Sequence, residues 1–202
     1  MAILRCYRSV VGVLEVIAVI LGIINVTLVV RRNIWNYPFA LVMVALYARI
    51  FFDAKLYSDA LLQIFFFVVN IYGWWYWARD KAEQGEIRVE IMSMQARAAL
   101  VTGLAAAIAL WGWMMHTHTD ASFPWWDAAI AMMSVAAQIL MSRRYLENWA
   151  LWIAVDVIAV GLYWVKGLHL TSALYVVFLA LSIWGQEEWM NARKGRLGTA
   201  AA

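Results

Sequence analysis

A carboxylate in the middle of an apolar run is the first residue that needs a chemical account. In ENWALWIAVDVIAVGLYWV (147–165), Asn148 and Trp152 stand eight and four residues before Asp156, and Tyr163 stands seven after it. At about 100° per residue a helix lines all four along one face. Insertion scales charge about 2.5–3.5 kcal/mol for a carboxylate at mid-span, so Asp156 needs either a partner or a task. An acid, an amide and an indole on one face suit a planar, partly cationic ligand, held by ring stacking, cation–π attraction and hydrogen bonds. A purely structural hydrogen bond is the competing reading for Asp156.

A second stripe occurs in QIFFFVVNIYGWWYW (63–77), where Gln63, Asn70, Trp74 and Trp77 fall at i, i+7, i+11 and i+14. Gln138, Glu15 and Asn25 add polar groups to other apolar runs. For each amide, interhelical hydrogen bonding worth about 0.6 kcal/mol competes with ligand binding. Trp and Tyr gather at membrane interfaces, and residues 74–77, Trp111, Trp113, Trp125 and Trp126 all fall near span ends, where an interfacial belt is the competing reading. Trp152 lies a turn inside its span and on the Asp156 face, which a belt does not explain.

The chemistry that is missing narrows the class. No G-x-S-x-G, H-E-x-x-H or G-x-x-x-x-G-K-[ST] occurs, so serine hydrolysis, zinc proteolysis and ATP-driven pumping lack their residues. The single Cys6 excludes an internal disulfide. His116 and His118 flank Thr117 near Asp120, but at a span end and without further ligands. The last apolar run has no lysine for a retinal. No catalytic residue, metal or cofactor is expected, and transport is the class that remains.

The elements that must position these residues are set by composition. With 65% hydrophobic residues and a mean hydropathy of +0.71, most of the 202-residue chain has lipid as its solvent. Seven apolar stretches, roughly 10–30, 36–53, 58–78, 99–116, 126–142, 148–166 and 171–190, approach the length that crosses a bilayer core. The first is too long for a signal-peptide core and is followed by Arg31 and Arg32, so a cleavable leader is not expected. Four Lys and Arg (Arg5, Arg8, Lys55 and Lys166) fall on one side of this arrangement and eleven on the other, with Arg49 inside a span completing the sixteen. The excess marks the cytoplasmic face, which puts the N-terminus outside and the C-terminus in the cytoplasm.

Sliding the chain on itself by 112 residues superposes Leu28 on Leu140, Arg31-Arg32 on Arg143-Arg144, Asn36 on Asn148, Leu56 on Leu168, Gly73 on Gly185 and Trp77 on Trp189. Glu15 meets Asp127, and the second stripe maps onto Tyr175, Ser182, Gln186 and Trp189. The shift carries the first three spans onto the last three, so the expected fold is all-α integral membrane, with seven transmembrane helices in a 3+1+3 parallel repeat. One transmembrane domain follows: repeat one over about 10–78, a linker at 79–98 with an amphipathic piece, a linking helix at 99–116, repeat two over about 124–190, and a cytoplasmic tail at 191–202. Parallel repeats related by an axis along the membrane normal are one transporter symmetry, with substrate near the midplane between the halves.

WNYPFALVMVALYARIFFDAKLYSDALLQIFFFVVNIYGWWYW (35–77) and ENWALWIAVDVIAVGLYWVKGLHLTSALYVVFLALSIWG (147–185) resemble the two repeat signatures of the PnuC family of vitamin transporters. The resemblance covers nearly the whole chain apart from the linker and the tail. It implies a SWEET-like core, a homotrimer in a bacterial inner membrane, and facilitated diffusion of nicotinamide riboside, trapped afterwards by intracellular phosphorylation on the way to NAD. Its partners would be that small molecule and the bilayer, with no nucleic acid. Carried over by position, the family pattern picks out Trp35, Asn36, Gln63, Asn70, Trp74, Gln138, Asn148, Trp152, Asp156 and Tyr175 as substrate-binding. The pyridinium ring would stack on Trp152 or its neighbours, and Gln63, Asn70, Gln138 and Asn148 would meet the ribose and carboxamide. The stretch GQEEW (185–189) departs from the pattern, since family members often carry an aromatic soon after the glycine, so Gln186 is not carried over. Thiamine, also planar and cationic, is the alternative substrate, and a non-transporting scaffold or receptor is the alternative from another class.

Overall fold

The computed structural model describes the backbone of residues 2–53, 57–119 and 122–200, with side chains in those ranges except at 2–12, 15, 57–59 and 197–200. Expectations for the side chains of Arg5, Cys6, Arg8 and Glu15, and for Lys55, Leu56 and Asp120, lie outside the described residues. Among the described residues there are seven helices: α1 (Ala2–Val30), α2 (Asn36–Asp53), α3 (Tyr57–Gln84), α4 (Met94–His118), α5 (Pro124–Ser142), α6 (Glu147–Val165) and α7 (His169–Ala200). Four stretches, Ala60–Gln84, Met94–His118, Glu147–Val165 and His169–Arg196, are long and apolar enough to cross a membrane. The described apolar part of α1, Val16–Val30, is shorter.

Several helices outrun their apolar stretches. α3 continues through RDKAEQ to Gln84 and α7 through NARKGRLGTA to Ala200. Both extensions are rich in strong helix formers, and Arg79 pairs with Glu83 one turn on at 2.7 Å. Apolarity marks where a helix meets lipid and not where it stops. The linker accordingly contracts from the expected 79–98 to 85–93, because α4 starts at Met94, where the Ser93 hydroxyl accepts from the Ala96 N–H at 3.2 Å.

The chain divides into two compact units, Met1–Glu86 and Ile87–Ala202. In the first, α2 packs against α1 and α3; in the second, α4, α5, α6 and α7 pack in sequence order. α4 is exposed almost all round, with Gly112 alone buried and the Trp125 ring lying where a Cβ on that glycine would be. A helix apolar on every face needs lipid or protein around it.

Each unit turns its chain by the same local device. At the end of α1, Asn33 N–H donates to Leu28 O at 2.8 Å and Arg32 N–H to Val29 O at 2.9 Å. At the end of α5, Tyr145 N–H donates to Leu140 O at 3.0 Å and Arg144 N–H to Met141 O at 2.9 Å. These are the paired bonds of a Schellman cap, and the residue they bend through is left-handed: φ is 52° at Arg32 and 64° at Arg144. Asn36 Nδ2 then donates to Asn33 O at 2.7 Å, and Asn148 Nδ2 to Tyr145 O at 2.6 Å. The next residue starts the core: Tyr37 meets Trp77 edge-on at 5.4 Å and 88°, and Trp149 meets Trp189 at 5.6 Å and 88°. All four rings are buried.

Gly185 admits the Trp149 ring. A Cβ there would lie 2.5 Å from Trp149 Cη2, whereas one on Gly103 of α4 would meet nothing within 4 Å. Gly185→Ala should therefore destabilise the second unit by about 1–3 kcal/mol, the range for overpacking a filled core. Melting of purified protein checks this, with Gly103→Ala expected to melt no lower than the parent.

Candidate functional site

In the second unit Asp156 and Tyr175 lie where α6 faces α7. Three pairs close that seam: Trp149 with Trp189, Asp156 with Ser182, and Tyr163 with Tyr175. Each step is seven residues up α6 and seven down α7, the spacing that keeps a seam facing its partner in antiparallel helices. Ser182 Oγ donates to Asp156 Oδ2 at 2.9 Å, and both side chains are 3% exposed. Tyr163 stacks on Tyr175 at 5.2 Å and 25°, and Phe178 meets Tyr175 edge-on at 6.1 Å. Rings thus flank a buried acid–hydroxyl pair along the seam.

Asn148 and Trp152 lie on α6 beside this seam. Asn148 is fully buried and Trp152 half-buried. One Asn148 Nδ2 N–H is committed to the turn, and its acceptor Oδ1 is buried without a hydrogen-bond partner among the described residues. Trp149 Nε1 is in the same position as a donor, and Gln186 Oε1 as an acceptor. Glu147 Oε2 is likewise buried without a partner among the described residues; buried polar atoms are nearly always satisfied, so a polar ligand or a water would be expected to engage atoms such as these. Gln138 is buried on α5, and Tyr175 is half-buried.

The first unit brings a different set together. Tyr37 is stacked against Trp74 at 6.5 Å and 6° on one side and meets Trp77 edge-on on the other. Trp74 remains 39% exposed, so one end of this stack is open. Asn70 is buried and donates from Nδ2 to Phe66 O at 2.9 Å, bonding within its own helix. Gln63 is half-buried. Asn36 repeats the state of Asn148: its Nδ2 is held by the turn and its Oδ1 is buried without a partner among the described residues. Trp35 stands apart, 65% exposed on the turn, with its N–H donating to Asn33 Oδ1 at 3.0 Å.

Two residues that organise these sets, Tyr37 and Trp149, were not expected from sequence. The available signal was the shift of 112, which places one on the other immediately after the paired asparagines. Trp189, expected on a stripe of residues capable of hydrogen bonding, is buried and forms a wall for Trp149. Among the described residues no three His, Cys, Asp or Glu side chains gather as a metal site would require.

Residues 12–191 match the family model described as nicotinamide mononucleotide transporter. The chain is 31% identical to the nicotinamide riboside transporter PnuC of Escherichia coli (strain K12), over 91% of this chain and 87% of that protein. It is 28% identical to the riboflavin/roseoflavin transporter RibM of Streptomyces davaonensis, over 87% of this chain and 83% of that one. The crystal structure of the vitamin B3 transporter PnuC superposes with a TM-score of 0.75 at 26% identity, covering 96% of this chain and 86% of that one.

The Asp156–Ser182 pair should be worth more than an exposed hydrogen bond, because a buried charged or polar partner left alone forfeits about 1–3 kcal/mol. In a double-mutant cycle of Asp156→Ala and Ser182→Ala, followed by unfolding in mixed detergent, the coupling should fall between about 0.5 and 3 kcal/mol. Simple additivity of the two losses would show that the pair contributes nothing of its own.

Proposed function

Because this chain belongs to the nicotinamide mononucleotide transporter family, we propose that it carries nicotinamide riboside across a bacterial inner membrane by facilitated diffusion. The nucleoside would then be phosphorylated inside the cell and enter NAD synthesis. The relatives named as nicotinamide riboside transporters, similar along nearly their whole length, support the substrate. All seven helices would span, in a 3+1+3 parallel arrangement like that of the SWEET transporters, with the N-terminus outside, the C-terminus in the cytoplasm and three copies assembled. The local geometry shared by the α1–α2 and α5–α6 turns at positions 112 apart supports that arrangement.

The single observation that carries the binding site is the state of Asn148: buried, oriented by one amide N–H held in the turn, and with its acceptor open. An acceptor fixed in that way selects a donor on the ligand, and nicotinamide riboside has a carboxamide N–H₂ and ribose hydroxyls to give. Trp152 offers a face for the pyridinium ring, and Asp156, one turn further along α6, offers the compensating charge. Gln138 and Tyr175 would also serve substrate binding in the second unit, and Trp35, Asn36, Gln63, Asn70 and Trp74 in the first.

The relative that transports riboflavin makes a second planar vitamin a specific competitor, to be tested beside thiamine. Titration of purified protein with nicotinamide riboside should show saturable binding that neither competitor displaces at equal concentration. Asn148→Ala and Trp152→Ala should each weaken it by about tenfold or more, about 1.4 kcal/mol. Unchanged affinity in both would remove this site, and failure of liposomes containing the pure protein to take up the nucleoside would favour a non-transporting scaffold.

A further inference from the structure

The segment between α3 and α4 forms a fastened strap within the second unit. Ile87 and Val89 are buried while Glu90 is exposed, the alternation of an extended strand with one face covered. Glu90 clasps the α5–α6 turn with both backbone groups: its N–H donates to Arg144 O at 2.9 Å and its carbonyl accepts from Leu146 N–H at 2.9 Å. Tyr145, between those two partners, is the residue whose carbonyl holds the Asn148 amide.

One carboxylate locks the strap to the start of α6. Glu147 Oε1 accepts from the Met92 N–H at 3.1 Å and from Arg97 Nε at 2.8 Å, and Arg97 Nη2 lies 2.6 Å from the same oxygen. Glu147 therefore ties the last part of the strap and the first turn of α4 to the residue next to Asn148. From α7, Arg196 Nη2 donates to Val89 O at 3.3 Å. The first unit has no carboxylate at the corresponding place: Trp35 stands there, 65% exposed. The two turns share a backbone, but the anchoring carboxylate is present in the second alone.

We propose that the strap holds the α5–α6 turn so that the Asn148 acceptor is presented in its binding geometry, with Glu147 and Arg97 as positioning residues for substrate. This rests on the reading that Asn148 contacts the ligand. It predicts an effect on affinity carried through backbone order, with no ligand contact by Glu147 or Arg97 themselves. Amide hydrogens bonded within a turn exchange slowly with solvent only while the turn stays closed, so order there is measurable without ligand.

The test uses the full chain in detergent, with two readouts: the Kd for nicotinamide riboside by calorimetry, at a temperature where melting shows each variant fully folded, and hydrogen exchange of the peptide 143–149. Glu147→Leu and Arg97→Ala should each raise the Kd by about fivefold or more. Each should also speed exchange in 143–149 by about tenfold while leaving 31–37 unchanged. Glu147→Gln keeps an acceptor oxygen for Met92 and Arg97 and should stay near the parent in both. Faster exchange with an unchanged Kd would overturn the positioning role and reduce the strap to scaffolding, and no change in either would overturn the proposal outright. Asn148→Ala separates the two readings. If it weakens binding and Glu147→Leu does not, the strap proposal fails and the site stands; if Glu147→Leu weakens binding and Asn148→Ala does not, the route through Asn148 is wrong.

Discussion

Helices in lipid are not pressed together by water, since a neighbouring acyl chain is as apolar as a leucine; what brings them into register is shape, close packing and the few hydrogen bonds they can make. In this protein the shape is supplied by a buried ring set edge-on against another, Tyr37 on Trp77 and Trp149 on Trp189. Such pairs contribute about 0.5–1.5 kcal/mol beyond the area they cover. Their larger effect is geometric. With Trp149 seated against Gly185, the separation and rotation of α6 and α7 are fixed, and the residues seven apart on each helix must face each other.

That constraint explains why an acid can be kept inside the second unit. Asp156 lies one seam step from Trp149 and finds the Ser182 hydroxyl because the rings have already set the register. One step further, the tyrosines stack. The asparagine that precedes each ring is fixed from the other direction, by the turn, and gives up one amide N–H to do so. A side chain held by the turn on one side and by a ring anchor on the other has little rotamer freedom left to lose when a ligand arrives.

The sequence made part of this legible and hid the rest for physical reasons. Helical period was enough to put Asn148, Trp152, Asp156 and Tyr163 on one face, and the shift of 112 found the paired asparagines. Trp149 escaped although it sits only about 20° from Asp156 on the helix, because a tryptophan near a span end reads as interfacial. The partner of Asp156 was visible as a stripe residue on the last span, yet nothing in either run says that the two would meet. Hydropathy misplaced the ends of α3, α4 and α7, since it reports on lipid contact and not on backbone hydrogen bonding. The strap was the least legible element: the Met92 to Glu147 bond joins residues 55 apart, and no local pattern announces such a partner.

The left-handed residue that ends α1 and α5 has a further consequence. Most helices that stop in this way use glycine, because a side chain at positive φ is strained; here the position is Arg32 in one unit and Arg144 in the other. An arginine next to an apolar span is also what membrane insertion reads when it decides which loops stay behind. A single residue thus combines a charge of the kind that can set orientation with a backbone that closes the turn. Glycine would relax the turn and drop that charge, leaving its neighbour Arg31 or Arg143, and lysine would keep charge and strain alike. The left-handed arginine occurs twice, at positions 112 apart.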